Sequence, residues 1–335
     1  MHGARHALAV TSCTTGLHLV LAALGIGPGD EVIVPAFTWV STANAALYCG
    51  ATPVLADVDP HTFNILPEEV ERRVTSRTKA VIVVHLFGLC ADVDAIRSRL
   101  PDNIPIIEDC ACAAGASYKG RSAGILGLAG VFSFHPRKSV TTGEGGMVIT
   151  NDEGLASLCD RLRNHGASIS GDARHRGPRP YLLPEFDELG YNYRMTDLQA
   201  AMGVVQLSKL ARFISERQQW ADFYDEQLQE LTWLRLPSRP TNSQHAWQSY
   251  VTSIDPGAAP RSRNEIMDAL NERGIATRPG THAVHMLAYY RKRFGYRASD
   301  YPGAQYANDQ SMAIPLHNGM VSEDFHYVVN ALTSI

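Results

Sequence analysis

Residues His6–Phe37 read HALAVTSCTTGLHLVLAALGIGPGDEVIVPAF, and this stretch decides the fold class. An apolar run, HALAVTS, leads into TGLHLVLAALG, whose apolar residues recur at helical spacing. A second β-branched run, EVIVPAF, follows after the turn residues IGPGD. Strand, helix and strand in this order form a crossover unit with parallel strands. The alternation continues through the runs TPVLADVD, KAVIVVHLFG, IPIIEDCA, GVFSF and MVITN, with PEEVERRVTS as a further helix. The pattern predicts an α/β fold, a mostly parallel sheet with helices on both faces. In such sheets ligands lie beyond the carboxyl ends of the strands.

The rest of the chain is organised differently. From Ala167 to Gly190 it becomes a loop rich in Gly, Pro and Arg. One long helix is then expected, with a stripe at Leu207, Leu210, Ile214, Ala221, Tyr224, Leu228 and Leu231 that Arg217 interrupts. After Pro237 a smaller α+β unit is expected. It has strands at WQSYVTSI and near ATRPG and a helix over about Ser262–Arg273. The boundary falls near residue 216, giving a large domain over 1–216 and a small one over 217–335.

Composition bounds the function. The 335 residues carry 30 Lys and Arg against 34 Asp and Glu, and the basic residues are scattered, which argues against nucleic acid as partner. The six cysteines show neither CxxC pairs nor matching histidine spacing, so no metal site and no disulfide framework is expected. Free thiols fit a cytoplasmic protein. No apolar run approaches the length of a membrane span, and TSCTT breaks the apolar start of the chain, so no signal peptide is read there.

Four features carry chemistry. Lys138 lies in FSFHPRKSVTTGEGG (132–146). It is not a P-loop lysine, because no GxxxxG precedes it; a solvated lysine and an amine nucleophile both remain open. Asp109 ends the run IPIIED, where it either caps the next turn or pairs with a pyridinium nitrogen. Thr14 and Thr15, in TSCTTG, lie at a helix start, as caps or phosphate ligands. Trp39, past the strand EVIVPAF, packs in the core or stacks on a flat ring. Together they place an amine, a carboxylate, a phosphate cradle and an aromatic ring at one sheet edge.

Four blocks in order then carry a resemblance: SCTTGLHLVLAALGIGPGDEVIVPAFTWVSTANAALYCGATPVLADVD, IIEDCACAAGASYKGR, FSFHPRKSVTTGEGGMVITND and GYNYRMTDLQAAMG. The chain resembles the DegT/DnrJ/EryC1/StrS sugar aminotransferases over essentially its whole length. The resemblance implies the aspartate-aminotransferase-like (type I) fold, pyridoxal 5'-phosphate (PLP) as cofactor and a homodimer with active sites at the interface. By matching position, Lys138 would hold the cofactor covalently, Asp109 would face its pyridine nitrogen, and Trp39 would stack on its ring. Thr14, Thr15 and Ser133 would bind its phosphate. Asn192 and Arg194, in GYNYR, would reach the phosphate in the neighbouring subunit.

The implied reaction moves an amino group from glutamate to a nucleotide-linked keto-deoxysugar, for polysaccharide or secondary-metabolite synthesis. A lysine at 138 also separates the chain from sugar 3-dehydratases, which carry histidine there. A cyclitol as acceptor, or a non-catalytic PLP-binding remnant, are the alternatives. Cys112 departs from the family, since many relatives carry His or Gln three residues after the aspartate. As a small side chain there it is expected mainly to pack, with a place at the cofactor as the other reading. Relatives also carry a few tens of residues before HGARHALAV, so the resemblance implies that this segment is missing. Arg176, with Arg174 and Arg179 in RHRGPRP, is a candidate for the substrate's diphosphate, against a solvated loop. His285 and Tyr289, in THAVHMLAYY, are candidates for lining the sugar site, against packing.

Overall fold

The computed structural model describes residues 2–169, 176–179 and 181–335. Seven strands form the central sheet: β1 (His6–Val10), β2 (Glu31–Pro35), β3 (Thr52–Ala56), β4 (Thr78–Val84), β5 (Ile106–Asp109), β6 (Ala129–Ser133) and β7 (Gly146–Thr150). Across the sheet they lie in the order β1-β7-β6-β5-β4-β2-β3. β7 is antiparallel to both neighbours, and the other pairings are parallel. The middle strands are apolar without alternation because helices cover both faces. On β4, Ala80, Ile82 and Val84 enter one core cluster, while Val81 and Val83 enter the cluster on the opposite face.

Helix α1 (Cys13–Ala23) covers the first face together with α2 (Ser41–Tyr48); α3 (Pro67–Arg73) and α4 (Val93–Arg97) cover the second. Leu17, Leu19, Val20 and Leu21 of α1 are fully buried. Burial at about 1.5–3 kcal/mol per large apolar side chain makes this helix a main source of stability. It approaches the sheet closely because residue 16 is glycine: a Cβ there would lie 2.5 Å from Val131 Cγ1. Helix α5 (Glu153–Leu162) starts at Asp152, whose carboxylate accepts from Leu155 N, and packs beside α1.

The single long helix expected after Gly190 is two helices, α6 (Asp197–Ser208) and α7 (Leu210–Leu228), joined at Lys209. Arg217 does not interrupt the buried stripe of α7; it belongs to it. Its guanidinium donates to the carbonyls of Trp247 (2.8 Å) and Gln248 (3.1 Å) and to Asn318 Oδ1 (2.8 Å). Leu210 and Ile214 pack with Ala113 and Phe134 of the large unit, whereas Ala221, Tyr224 and Leu228 pack in the small one.

The small unit holds strands β8 (Leu234–Arg235), β9 (Tyr250–Ile254) and β10 (Ser311–Ile314), antiparallel in that order. Around them lie α8 (Arg263–Glu272), α9 (Ala288–Phe294), α10 (Pro302–Gln310) and α11 (Ser322–Thr333). The strand expected near ATRPG is only an isolated bridge between Arg278 and Ala313; the sheet partner of β9 is β10. Hydrogen bonds and a strand pair are among the contacts that tie the units together. Asp57 accepts from the N–H groups of Gly303 and Ala304 at 2.8 Å each, capping α10, and Phe37–Thr38 pairs with His282–Ala283. The chain thus has the α/β architecture of the type I PLP fold, a large mostly parallel sheet domain followed by a smaller α+β domain.

Candidate active site

The carboxyl ends of β1, β5 and β6 and the amino end of the antiparallel β7 share one sheet edge, and the candidate residues gather there. Side chains alternate along β5, so its last two residues face opposite ways. Glu108 is fully buried and accepts from Gly124 N (2.6 Å), Leu126 N (2.7 Å), Gly127 N (2.7 Å) and His85 Nε2 (2.8 Å). His85 Nδ1 accepts from Ala91 N at 3.1 Å, so the ring proton sits on Nε2 and points at Glu108. With Cys110, these two side chains meet the spacing of a metal cluster. The ligand atoms of His85 and Glu108 are already occupied by hydrogen bonds, and this pair works as a clasp that fixes the strand end.

Asp109 faces the other way, towards α1 and α2. It is 4% exposed; Oδ2 accepts from Thr42 Oγ1 at 2.8 Å, and Oδ1 accepts from Ala111 N at 3.0 Å and from Cys13 Sγ at 3.7 Å. Thr42 in turn meets Thr38 Oγ1 at 3.1 Å. The carboxylate is therefore held in one orientation. Burial, with the Asp109 charge added, pushes the Cys13 thiol well up, so it stays a neutral donor.

The start of α1 is built by a capping box. Ser12 Oγ accepts from Thr15 N at 3.1 Å, and Thr15 Oγ1 accepts from Ser12 N at 3.0 Å. Thr15 is thus committed to the cap, and its hydroxyl also donates to Ser12 O at 2.9 Å. Thr14 is half-buried, and its hydroxyl has no hydrogen-bond partner among the described residues. The N–H groups of Cys13 and Thr14, in the first helical turn, have no intrahelical acceptor. Gly146 lets β7 lie directly against this turn, since a Cβ there would sit 2.6 Å from Ser12 C and 2.8 Å from Cys13 N. Ser133, 9% exposed, ends the neighbouring strand.

Lys138 is half-buried, and its Nζ donates to Cys112 Sγ at 3.2 Å. Burial pulls the ammonium's pKa down; the Cys112 sulfur, Asp109 and Cys13 outweigh burial and leave it raised. Cys112 is therefore a direct neighbour of the amine and more than a packing residue.

The other candidates are spread more widely. Trp39 is 54% exposed, with its ring edge-on to His282 at 5.4 Å, so it is not a core tryptophan. Asn192 and Arg194 are exposed; Arg194 Nη1 donates to Asn164 Oδ1 at 2.5 Å. Tyr289 is exposed and its hydroxyl accepts from Arg293 at 2.9 Å. His285 is fully buried 5.0 Å from the Tyr301 ring, and neither ring nitrogen has a hydrogen-bond partner among the described residues. Arg176 and Arg179 are exposed, and Arg174 lies outside the described residues. A hollow of about 460 Å³ bounded by Leu24, Arg97, Asp102 and Leu128 lies at the opposite, amino-end edge of β5 and β6.

Sequence reasoning missed Ser12, Cys13 and Thr42. Ser12 was recoverable, because Ser followed three residues later by a hydroxyl residue at a helix start marks a cap. Thr42 gives no local signal, because its role depends on where α2 docks.

A large mostly parallel sheet with an amine, an oriented carboxylate and a helix amino terminus at one edge defines a PLP-type transferase architecture. The sequence matches the model of the DegT/DnrJ/EryC1/StrS aminotransferase family over residues 1–333, and the chain belongs to that family. It is similar to the aminotransferase TlmJ from Streptoalloteichus hindustanus (32% identity, TM-score 0.87, covering 98% of this chain and 85% of that one). It is also similar to an aminotransferase from Psychrobacter cryohalolentis (31% identity, TM-score 0.94, 99% and 87% covered). A third similar structure is S. venezuelae DesV in complex with a ketimine intermediate (31% identity, TM-score 0.89, 99% and 85% covered). No helix among the described residues is long and apolar enough to cross a membrane.

Proposed function

We propose that the chain is a PLP-dependent aminotransferase that takes an amino group from glutamate and passes it to a nucleotide-linked keto-deoxysugar. The observation that carries this reading is the convergence of Lys138 and the oriented Asp109 at one sheet edge beside the amino terminus of α1. The residues fit the cofactor. Thr14, with the open N–H groups of the first turn of α1 and Ser133, would hold its phosphate, where the helix dipole favours an anion. Trp39 would cover its ring, and Cys112 would lie at its edge.

When bound, PLP supplies an electron sink that makes the substrate's amine-bearing carbon acidic. Asp109, held by Thr42, would keep a proton on the ring nitrogen through a charge-assisted hydrogen bond. Lys138 would hold the cofactor covalently through Nζ. Its Nζ, placed beside the substrate's amine-bearing carbon, would take a proton there as general base and return one as general acid. The ammonium favoured at Cys112 is the acid form of this pair.

The homodimer reading is supported by exposed apolar residues along 181–205, with Leu183, Leu189 and Leu198 each at least 80% exposed. Asn192 and Arg194 lie in the same exposed stretch, where a second copy would bring them to its own neighbour's phosphate. We place the division between the two domains at residue 216, within α7, and the site of action in the cytoplasm.

The test is spectroscopic. The purified protein should show the visible band of bound cofactor, and glutamate alone should convert it to the amine form. Keto sugars linked to nucleotides should reverse the change, whereas cyclitol ketones should not. A protein that binds no PLP, or binds it without exchanging amino groups with glutamate, contradicts the reading.

A further inference from the structure

Of the six cysteines, Cys13, Cys90, Cys110 and Cys159 are buried, and only Cys49 and Cys112 are partly open to solvent. Burial pushes the Cys49 thiol up to about 11, so little reactive thiolate forms there at neutral pH. Its sulfur faces a backbone carbonyl, that of His18, at 4.0 Å. Cys112 faces an amine instead. Lys138 Nζ lies 3.2 Å from its sulfur and has no ion pair with a carboxylate among the described residues.

Both partners are held where they meet. Cys112 lies in a turn closed by Ala113 N, which donates to Cys110 O at 2.9 Å, and Ala111 N donates to Asp109 Oδ1 at 3.0 Å. Lys138 closes a turn of its own, its N–H donating to His135 O at 2.9 Å. The carbonyl before it, that of Arg137, accepts from Gln248 Nε2 at 3.2 Å, and Gln248 is 9% exposed. The contact is therefore set by two anchored turns, one at the end of β5 and one after β6. The flexible four-carbon stem of the lysine lets nitrogen and sulfur close the remaining gap without moving either turn.

We propose that Cys112 and Lys138 are a redox pair: hydrogen peroxide joins them through a sulfur–nitrogen bond whenever Nζ carries no cofactor, and a thiol reductant releases them. The Cys112 sulfur attacks the peroxide O–O bond and takes one oxygen, becoming a sulfenic acid while the other oxygen leaves as water. The neutral form of Nζ then attacks that sulfur. The S–N bond forms, the S–O bond breaks, and the hydroxyl leaves as a second water with the proton lost by nitrogen. The thiol has lost an electron pair and the peroxide has gained it. An external thiol reverses the bond by attacking the sulfur, which frees the amine and leaves a mixed disulfide; a further thiol reduces that disulfide. A lysine held in this bond cannot hold a cofactor. That consequence rests on the aminotransferase reading; the bond itself rests on the contact and on the turns that fix it.

The experiment treats the cofactor-free and the PLP-loaded chain with hydrogen peroxide and maps the peptides by mass. In the cofactor-free chain the peptides of Cys112 and Lys138 should be joined, together lighter by one pair of hydrogens, and dithiothreitol should part them. PLP loading, read by absorbance, should fall by the fraction of chain that is joined and return after dithiothreitol. The loaded chain should be spared. Lys138→Arg should halt at the sulfenic acid, which dimedone captures, and Cys49→Ala should join as the native chain does; melting temperatures check that both variants fold. The proposal is overturned if native Cys112 stops at an oxygen adduct, pairs with another thiol, or joins Lys138 with an oxygen atom retained. Joining of the loaded chain as fast as the cofactor-free one overturns it as well. A chain that never loads PLP yet joins keeps the redox pair and discards the aminotransferase reading. One that exchanges amino groups with glutamate but never joins does the reverse.

Discussion

Thr42 Oγ1 donates to Asp109 Oδ2 at 2.8 Å, so the carboxylate at the end of β5 is aimed by a residue of α2. Removing that donor leaves a buried carboxylate oxygen short of one hydrogen bond, a cost of about 1–3 kcal/mol. Thr42→Val should therefore fold but hold PLP more weakly and exchange amino groups with glutamate about tenfold more slowly. Thr42→Ser should restore both. Equilibrium dialysis of the cofactor and single-turnover absorbance measure the two effects. Native behaviour in Thr42→Val would show that Asp109 needs no help from α2.

The contact between Lys138 Nζ and Cys112 Sγ, 3.2 Å, bears on how the amine is charged. Burial lowers the Lys138 pKa, and Cys112 is the foremost of the groups that raise it. Taking the sulfur away should let burial act with less opposition, so the neutral amine becomes more abundant at a given pH. Capture of an aldehyde needs that neutral form. Cofactor-free Cys112→Ala should thus load PLP faster than the native chain at pH 7. In both proteins the loading rate should climb with pH, by about tenfold per unit while the ammonium predominates. A slower Cys112→Ala across pH 7–9 would mean that the sulfur serves the amine in another way.

The parts of this molecule that were legible in the sequence are those specified locally. β2, β4 and β6 carry the apolar stretches VIV, AVIVV and AGVF because both faces of the sheet are covered, and their short length between turn residues reads as strand. Helix α8 announces itself through Ser262 and Glu265, a capping box seen in the structure. The break at Lys209 was hidden because Leu207, Leu210 and Ile214 keep helical spacing across it. Arg217 looked like an interruption because charge normally marks the solvent side; its partners are backbone carbonyls from a distant segment. Thr42, likewise, owes its role to docking, and the exposure of Trp39 depends on the seam formed with His282.

The apolar face on α6 gives a prediction about assembly. Leu198 is 85% exposed and Val205 is 54% exposed, and on this helix only Gly203 is buried. A helix apolar on its outer side needs a partner surface. Leu198→Asp should leave the melting of the isolated chain within about 0.5 kcal/mol of native, as for other exposed sites. It should shift sedimentation from dimer towards monomer and lower PLP retention, because Asn192 and Arg194 would lose their place at a neighbouring site. A variant that stays dimeric with full cofactor moves the interface elsewhere.

Stability should fall in mild acid, and His245 gives the sign. Its ring lies 3.9 Å from the Trp247 ring, Nδ1 accepts from Trp247 N at 2.8 Å, and burial, with the Arg239 charge added, lowers its pKa to about 3. Above pH 6.5 the ring is neutral in both folded and unfolded chains and contributes no pH dependence. Below 6.5 the unfolded chain binds a proton that the folded chain refuses until about pH 3. Folding therefore loses up to about 1.4 kcal/mol per pH unit from this group across that window. His18 and His285, both lowered chiefly by burial, act in the same direction. Chemical denaturation of the native chain at pH 7.5, 6.0 and 5.0 should show the decline, and His245→Gln should flatten it while lowering stability at pH 7.5. If the slope persists undiminished in His245→Gln, the proton uptake that drives acid unfolding belongs to other groups.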